Sequence, residues 1–438
     1  MIVFTAGPSP ASPSDRQRPR WNRLVARDAR TCREEPPRDP LFAAPTSPLL
    51  ATSHEISYGW SGMDSARLVV KQAHSMLSDE VAAVAELAAG LDVSAASIVL
   101  FFCSPRYDLQ KLGQALQKAI AVPVVGCTAA GQIDERGYVD GGISALSLTS
   151  SELLATPYLI SSLTGSAEAT NVGYEAAVAL ARRSTRKAFG MLLIDGLSNA
   201  EERIVATLFE ALGDVPLVGG SAADDLTNQR TDVYFQGAFH SSAAVFVLFD
   251  TSLPFTTFKV QHVAATLRKL VITDADADAR LVREINGKPA AAEYAAQIGL
   301  PLAQLDPLVC AEHPLLLSAE GELYARGVRS VNQDGSLSFF CAVDTGLVLT
   351  LGEPIAALEA LRVGFEKAEG RVPDPAVVLG FDCFSRRREF ERLGEAPAVG
   401  RFLASHRVFG FCTYGEQFDS VHVNQTFTAI ALGSATQT

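Results

Sequence analysis

One short phrase is written three times along this chain, so any fold it adopts must accommodate three related units. Val122–Gly131 reads VPVVGCTAAG, Val215–Asp224 reads VPLVGGSAAD, and Val408–Glu416 repeats it more loosely as VFGFCTYGE. Each copy is an apolar run, then glycine, then small hydroxyl or thiol residues. Short apolar runs bounded by glycine read as buried strands. The glycine either permits a sharp turn or admits another group close to the backbone.

The surroundings repeat as well. Upstream of the copies lie apolar strands at Ile98–Phe102, Phe189–Ile194 and Val377–Phe381, each running into polar residues. A helical segment bridges each pair, with Leu109, Leu112, Leu116 and Ile120 on one face of the first and Ile204, Val205, Leu208, Phe209 and Leu212 on one face of the second. The third, around Phe390 and Leu393, is shorter and more charged. One more strand follows each copy, at Ile143–Leu148, Ala243–Phe249 and Thr426–Leu432. A helical crossover makes the first two strands of a unit parallel. The expectation is an α/β fold of three strand–helix–strand–strand units in mixed sheets, with an antiparallel α+β insertion between the second and third.

Ligands of open α/β sheets bind beyond the carboxyl ends of parallel strands. Cys103, Cys127, Thr128, Asp195, Ser221, Cys383, Arg386, Cys412, Thr413 and Glu416 all fall at such ends. For any one of them, tight packing is the simpler reading; for the set, a shared pocket is expected. Whether the units close around one centre or line up in one sheet is left open by the residues.

At 438 residues the chain has room for two or three domains. A net charge of −12 argues against nucleic acid as a general partner. No apolar run approaches the ~20 residues that span a bilayer, so no membrane partner is expected. The seven cysteines are scattered, most of them in or beside apolar strands, without a CxxC pair, which suits free thiols of a reducing cytoplasm rather than a zinc ribbon. Residues 1–62 concentrate proline and arginine without hydrophobic period and read as a disordered extension, with Met63 as the physiological start.

From Pro254 to Leu351 the pattern changes. Phe255–Val260 and Leu267–Ile272 read as strands, Asp278–Ile285 and Ala290–Ile298 as helices, then Leu315–Leu317, Tyr324–Val331 and Leu337–Val343 as strands, with a helix over Pro354–Glu369. The antiparallel element is expected to form a wall or lid over the strand-end cleft. Its alternating Asp274, Asp276 and Asp278 suggest a calcium loop, but Ala279 and Ile285 stand where the loop needs glycine and glutamate. An acidic helix start is the better reading.

Histidines 240, 262 and 422 sit at or within strands, and His422, Asn424 and Thr426 alternate on one face. A satisfied hydrogen-bond network is the simpler reading of each; a ligand or haem contact is the sharper one. Arg326 and Arg329, and Arg386 with its neighbours, are candidates to clamp a carboxylate. No nucleophile elbow, zinc-protease motif or phosphate loop is present; a cysteine nucleophile is the enzymatic alternative, and no enzyme is expected.

The two VPVVG-type phrases, Asn286–Ala290 (NGKPA), and Gly410–Glu416 followed by His422–Thr426 (HVNQT) resemble the FIST family, over nearly everything after Ser65. The resemblance implies a cytoplasmic sensory protein with a FIST N-terminal domain over 63–290 and a FIST C-terminal domain over 291–438. Phe101–Leu109, Gln261-His262 and Glu416–Thr426 are similar to the haem-containing, nitric-oxide-sensing FIST proteins of bacteria. That implies a haem and output through a separate histidine kinase or cyclic-di-GMP enzyme, but no particular haem ligand; His262, beside the lid strand, is the first candidate by position, with His422 and His240 behind it. The alternative is a haem-free module for a small metabolite such as an amino acid, with Asp195 or Glu416 receiving the amine.

Overall fold

Each copy of the repeated phrase is a strand laid parallel to the apolar run upstream of it. This is seen in a computed structural model that describes residues 66–182, 187–225, 227–319 and 321–434. The expected extension over 1–62 and the start at Met63 lie outside the described residues.

The first unit runs β1 (Val69–Ser75), α1 (Glu80–Gly90), β2 (Ile98–Cys103), α2 (Leu109–Ala119), β3 (Val124–Thr128), hairpin β4–β5 (Gln132–Asp134, Gly137–Val139) and β6 (Ile143–Thr149). The second repeats it with β7 (Leu153–Ile160), α3 (Ala167–Ala181), β8 (Lys187–Ile194), α4 (Glu201–Leu212), β9 (Leu217–Ser221), hairpin β10–β11 (Val233–Phe235, Ala238–His240) and β12 (Ala244–Thr251). The third opens on β13 (Phe255–Gln261), and the insertion follows: β14 (Val263–Asp276), β15 (Leu281–Ile285), β16 (Lys288–Pro289), α5 (Ala290–Ile298), α6 (Pro307–Glu312), β17 (Leu315–Ala319), β18 (Glu322–Arg326), β19 (Val328–Val331), β20 (Leu337–Phe339) and β21 (Val348–Pro354). The third unit then resumes with α7 (Ala357–Glu369), β22 (Val377–Cys383), α8 (Phe384–Leu393), α9 (Ala396–Ser405), β23 (Val408–Thr413), hairpin β24–β25 (Glu416–Phe418, Val421–Val423) and β26 (Thr426–Leu432).

Each unit gives its hairpin away. The sheets run β1-β6-β2-β3-β10-β11, β7-β12-β8-β9-β24-β25 and β13-β26-β22-β23-β4-β5. The first unit's hairpin therefore completes the third sheet, the second's the first, and the third's the second. The register is the same in all three: Gln132 lies opposite Phe411, Val233 opposite Cys127 and Glu416 opposite Gly220. A ring of backbone hydrogen bonds closes the exchange. Ala130 N–H donates to Cys412 O (3.3 Å), Ala223 N–H to Thr128 O (3.0 Å) and Tyr414 N–H to Ser221 O (3.2 Å). The three units thus close around one centre.

Alternation along the strands splits each sheet into two faces. Ile98, Leu100 and Phe102 join Met191, Leu193, Leu379 and Phe381 in one core shared by all three sheets. Val99 and Phe101 face α1 and α2, Leu192 and Ile194 face α3 and α4, and Val378 packs with α7 and α9. This two-sided burial is why the strands read as unbroken apolar runs. The repeated glycine is explained by close approach and not by a turn. A Cβ on Gly219 would stand 2.1 Å from Leu192 O, and one on Gly410 1.7 Å from Gly380 O.

Near the centre the units cannot all carry large residues. Where the first and second have Cys127 and Gly220, the third has Phe411; where they have Ala130 and Ala223, it has Tyr414. A Cβ on Gly220 would lie 2.9 Å from the Phe411 ring. One large side chain per layer fills the space that three equivalent positions share.

The insertion is an eight-stranded antiparallel sheet, ordered β18-β17-β21-β14-β15-β20-β19 with β16 beside β15. Three expectations fail locally. Asp278–Ile285 is a turn and strand β15, not a helix: Arg280 has φ 52° and β15 pairs with β14. Leu281, Val282 and Ile285 imitate a helical stripe, but the neighbouring strands capture them. The acidic run is consequently no helix start; Asp276 accepts from Ala279 N–H in the turn. Finally, His422 and Thr426 do not share one strand, because Gln425 at φ 51° breaks the chain between β25 and β26.

Candidate functional site

The strand-end residues meet in a packed centre and not in an open cleft. Cys103, Cys127, Cys383 and Cys412 are buried free thiols. Burial pushes all four up, Cys412 to about 12 despite Arg387 beside it. Such thiols stay protonated and poorly nucleophilic. Thr128 Oγ1 accepts from Asp232 N–H at 3.1 Å. Asp195 accepts from Leu197 N–H (2.9 Å), Ser242 N–H (2.5 Å) and the Thr231 hydroxyl, so most of its acceptor capacity goes to capping loops. Glu416 accepts from Thr413, from Thr426 Oγ1 (2.6 Å) and from Thr426 N–H (3.1 Å). Burial raises its carboxyl to about 8; the threonine hydroxyls oppose this and the Asp382 charge adds to it.

A second cluster is charged and mostly paired within itself. Fully buried Arg386 donates to Asp382 at 2.8 Å and to His262 Nδ1 at 2.9 Å. His262 Nε2 lies 2.9 Å from Glu389, and Tyr138 donates to Asp382. An arginine can only donate, so Nδ1 accepts and Nε2–H faces Glu389. Burial, and then the Arg386 charge, lower the His262 pKa and keep the ring neutral. Arg386 is thereby committed to Asp382 and His262 through Nε and Nη1, while its Nη2 has no partner.

The third cluster lies where α4 and the β24–β25 hairpin meet the insertion. A His422 ring nitrogen, Cys341 Sγ and a Glu202 carboxylate oxygen lie within 4.8 Å of one another. His422 is 1 % exposed and Cys341 is fully buried. Arg280 bridges Glu201 and Glu202 at 2.6 and 2.5 Å. Burial disfavours the Glu202 carboxylate most, but Arg280, His422 and the Ala342 amide outweigh it and hold its pKa below the ordinary value. Burial lowers His422 and lifts Cys341 to about 12. Arg326 donates to His422 O at 3.1 Å, and Cys341 Sγ lies 2.6 Å from Asn424 Oδ1. Gln417 Nε2 reaches Ser221 Oγ (3.0 Å) and His422 Nδ1 (3.4 Å). Gly415 is required here: a Cβ would stand 2.2 Å from the imidazole.

Three buried side-chain atoms at this junction have no partner: His422 Nε2, Arg326 Nε and Gln417 Oε1. A buried polar atom left unpaired costs about 1–3 kcal/mol. Of the expected residues, His422, Arg326, Asn424 and, through Gln417, Ser221 gather here. His240 is half-buried on edge strand β11, and among the described residues no hydrogen-bond or ion-pair partner converges on it. Glu202, Arg280, Cys341 and Gln417 were not legible as site residues, since they come from distant segments and carry no motif.

The FIST N domain family model matches residues 97–288 and the FIST C domain model residues 290–419. The chain is a FIST-domain protein. FIST domains are sensory domains that bind small ligands in signal transduction. The two matches meet inside the insertion, between β16 and α5, while the junction cluster draws Glu202 from FIST N, Cys341 from FIST C and His422 from just past its end. No curated protein matches the chain. Among solved structures, a cyanuric acid hydrolase from A. caulinodans is similar at 9 % identity and TM-score 0.25, over 43 % of this chain and 72 % of that one; at that score the likeness carries no argument. Among the described residues, no helix is long and apolar enough to cross a membrane.

Two of the three expected haem ligands, His262 and His422, sit in surroundings that do not suit a haem. Both His262 nitrogens are engaged. His422 stands in a group with Cys341 and Glu202 whose donor atoms lie within 4.8 Å of one another, a set sized for a small cation.

Proposed function

We propose that this FIST protein is a haem-free sensor for a small carboxylate-bearing metabolite, of which an amino acid is the simplest, taken up at the junction of α4, the insertion and the β24–β25 hairpin. The observation that carries this reading is the convergence there of three unpartnered buried atoms, His422 Nε2, Arg326 Nε and Gln417 Oε1. Arg326 presents a fixed fork suited to a carboxylate. Arg329 is half-buried, and burial followed by the Arg280 charge lowers its pKa, so an anion would relieve it. Because the junction joins both FIST domains, a ligand there biases how the insertion sits on the core. Output passes to a separate histidine kinase or cyclic-di-GMP enzyme in the cytoplasm.

The test is a thermal-shift screen of amino acids and small carboxylic acids. A true ligand stabilises with concentration as RT ln(1 + [L]/Kd), and Arg326→Gln abolishes the shift. Stabilisation that survives Arg326→Gln overturns the assignment of the site. The gas-sensing reading is separated by adding haem: saturable uptake with a Soret band that shifts with nitric oxide would restore it, and none is expected.

A further inference from the structure

We propose that Glu202, Cys341 and His422 form a three-ligand site for a borderline-soft divalent cation, Zn²⁺ by the chemistry of its donors, with the fourth position open to the sensed carboxylate. The proposal rests on the junction being the sensing site and adds that the ligand is held through a metal ion.

One sulfur, one imidazole nitrogen and one carboxylate oxygen are a donor set that zinc takes in tetrahedral sites, with three protein ligands where an exchangeable fourth is kept. Bond lengths of about 2.0–2.3 Å place tetrahedral ligand atoms roughly 3.5 Å apart. The three atoms here are already within 4.8 Å of one another, so closure needs side-chain movement of about an ångström.

The surroundings supply what a bound ion requires. Gln417 touches His422 Nδ1 and Ser221 Oγ through its amide nitrogen, while its Oε1 is unpartnered. Turning that amide over lets Oε1 accept from both Nδ1–H and the Ser221 hydroxyl. Nε2, now unpartnered, is then left with its lone pair free for the metal. An outer partner of this kind commonly fixes the tautomer of a ligating histidine. Arg280 holds Glu201 and Glu202 in place, and Cys341 sits beside Asn424 Oδ1, which receives the thiol hydrogen until metal displaces it.

Charge balance links the ion to the ligand. Glu201 and Glu202 offset Arg280 and Arg326. A divalent ion that displaces the Cys341 proton adds one net positive charge, and half-buried Arg329 adds more. An anionic fourth ligand offsets the charge that the ion adds, which is the charge type expected of the sensed metabolite.

The full chain, freed of metal by chelator and exchanged into clean buffer, is titrated with Co²⁺ and then Zn²⁺. The expected result is one equivalent of Co²⁺ with thiolate-to-cobalt charge-transfer absorption and four-coordinate d–d bands, displaced by Zn²⁺. Cys341→Ser removes the charge-transfer band, and Glu202→Gln weakens binding at least ~10-fold; melting curves verify that both variants fold. No stoichiometric binding by the wild type, or a band unchanged in Cys341→Ser, overturns the metal site. Carboxylate-induced stabilisation is measured in parallel with and without chelator. If it persists in chelator, the metal proposal fails while the sensor reading stands; if it is absent under both conditions, the sensor reading fails.

Discussion

His262 and His422 are equally buried at 1 % exposure, and burial is the first cause that keeps each ring neutral. Their surroundings differ. His262 is held on both nitrogens, by Arg386 and Glu389, inside a cluster completed by Asp382 and Tyr138. His422 has one weak contact to Gln417 and a second nitrogen with no partner. Burial therefore does not distinguish the two histidines; the unmet hydrogen-bonding capacity of the ring does. The first region ties its histidine into an ion-pair cluster, in which only Arg386 Nη2 lacks a partner; the second leaves the histidine ring itself unmatched.

The sharpest way to break that comparison is to disturb both clusters. Asp382→Asn leaves Arg386 as a buried charge without its carboxylate, and removing one partner of a buried pair costs about 3–5 kcal/mol. His422→Gln removes an unsatisfied atom and is expected to cost about 1 kcal/mol or less, while abolishing ligand-induced stabilisation. Denaturant melts of the two variants decide it. Equal losses would mean that His422 is as structural as His262.

Two glycines offer an intermediate contrast. Gly410→Ala drives a methyl against Gly380 O at a parallel register position and should cost upwards of ~1–3 kcal/mol, as overpacking does. Gly415→Ala meets side chains instead of backbone, the His422 imidazole and the Asn424 amide. It should lower ligand or Co²⁺ affinity by more than its effect on the melting temperature suggests. Loss of stability with unchanged affinity would remove His422 from the binding site.

The same contrast explains what the sequence could reveal. Strands β2, β8 and β22 were legible because burial on both faces writes continuous apolar runs, and α2 because Leu109, Leu112 and Leu116 recur on one face. The exchanged hairpins were not. Gln132–Asp134 and Glu416–Phe418 are three-residue strands whose partners belong to other units, so no local pattern betrays them. Helix α9 and strand β21 were likewise missed between better signals. At the site, His422, Arg326 and Asn424 were visible as polar residues in apolar company. Glu202 looked like an ordinary first-turn acid and Cys341 like an ordinary buried thiol, because only the closure of the ring against the insertion brings them together.

The smallest effect tests the exchanged hairpins themselves. Gln132, Val233 and Glu416 occupy one equivalent position, and only the third unit places a titratable group there. Burial raises Glu416 from the usual 4.5 to about 8. Between those values the unfolded chain has lost this proton and the folded chain keeps it, so the folded state binds more protons and stability falls as pH rises. The slope from one such group is at most about 1.4 kcal/mol per pH unit. Glu416→Gln supplies the amide that the first unit already uses at Gln132, and should cancel that slope while leaving the protein folded. Melting both proteins from pH 5 to 8 reads the difference. Stability curves that run parallel would show Glu416 ionised in the fold, and the hairpin buried less tightly than its two counterparts.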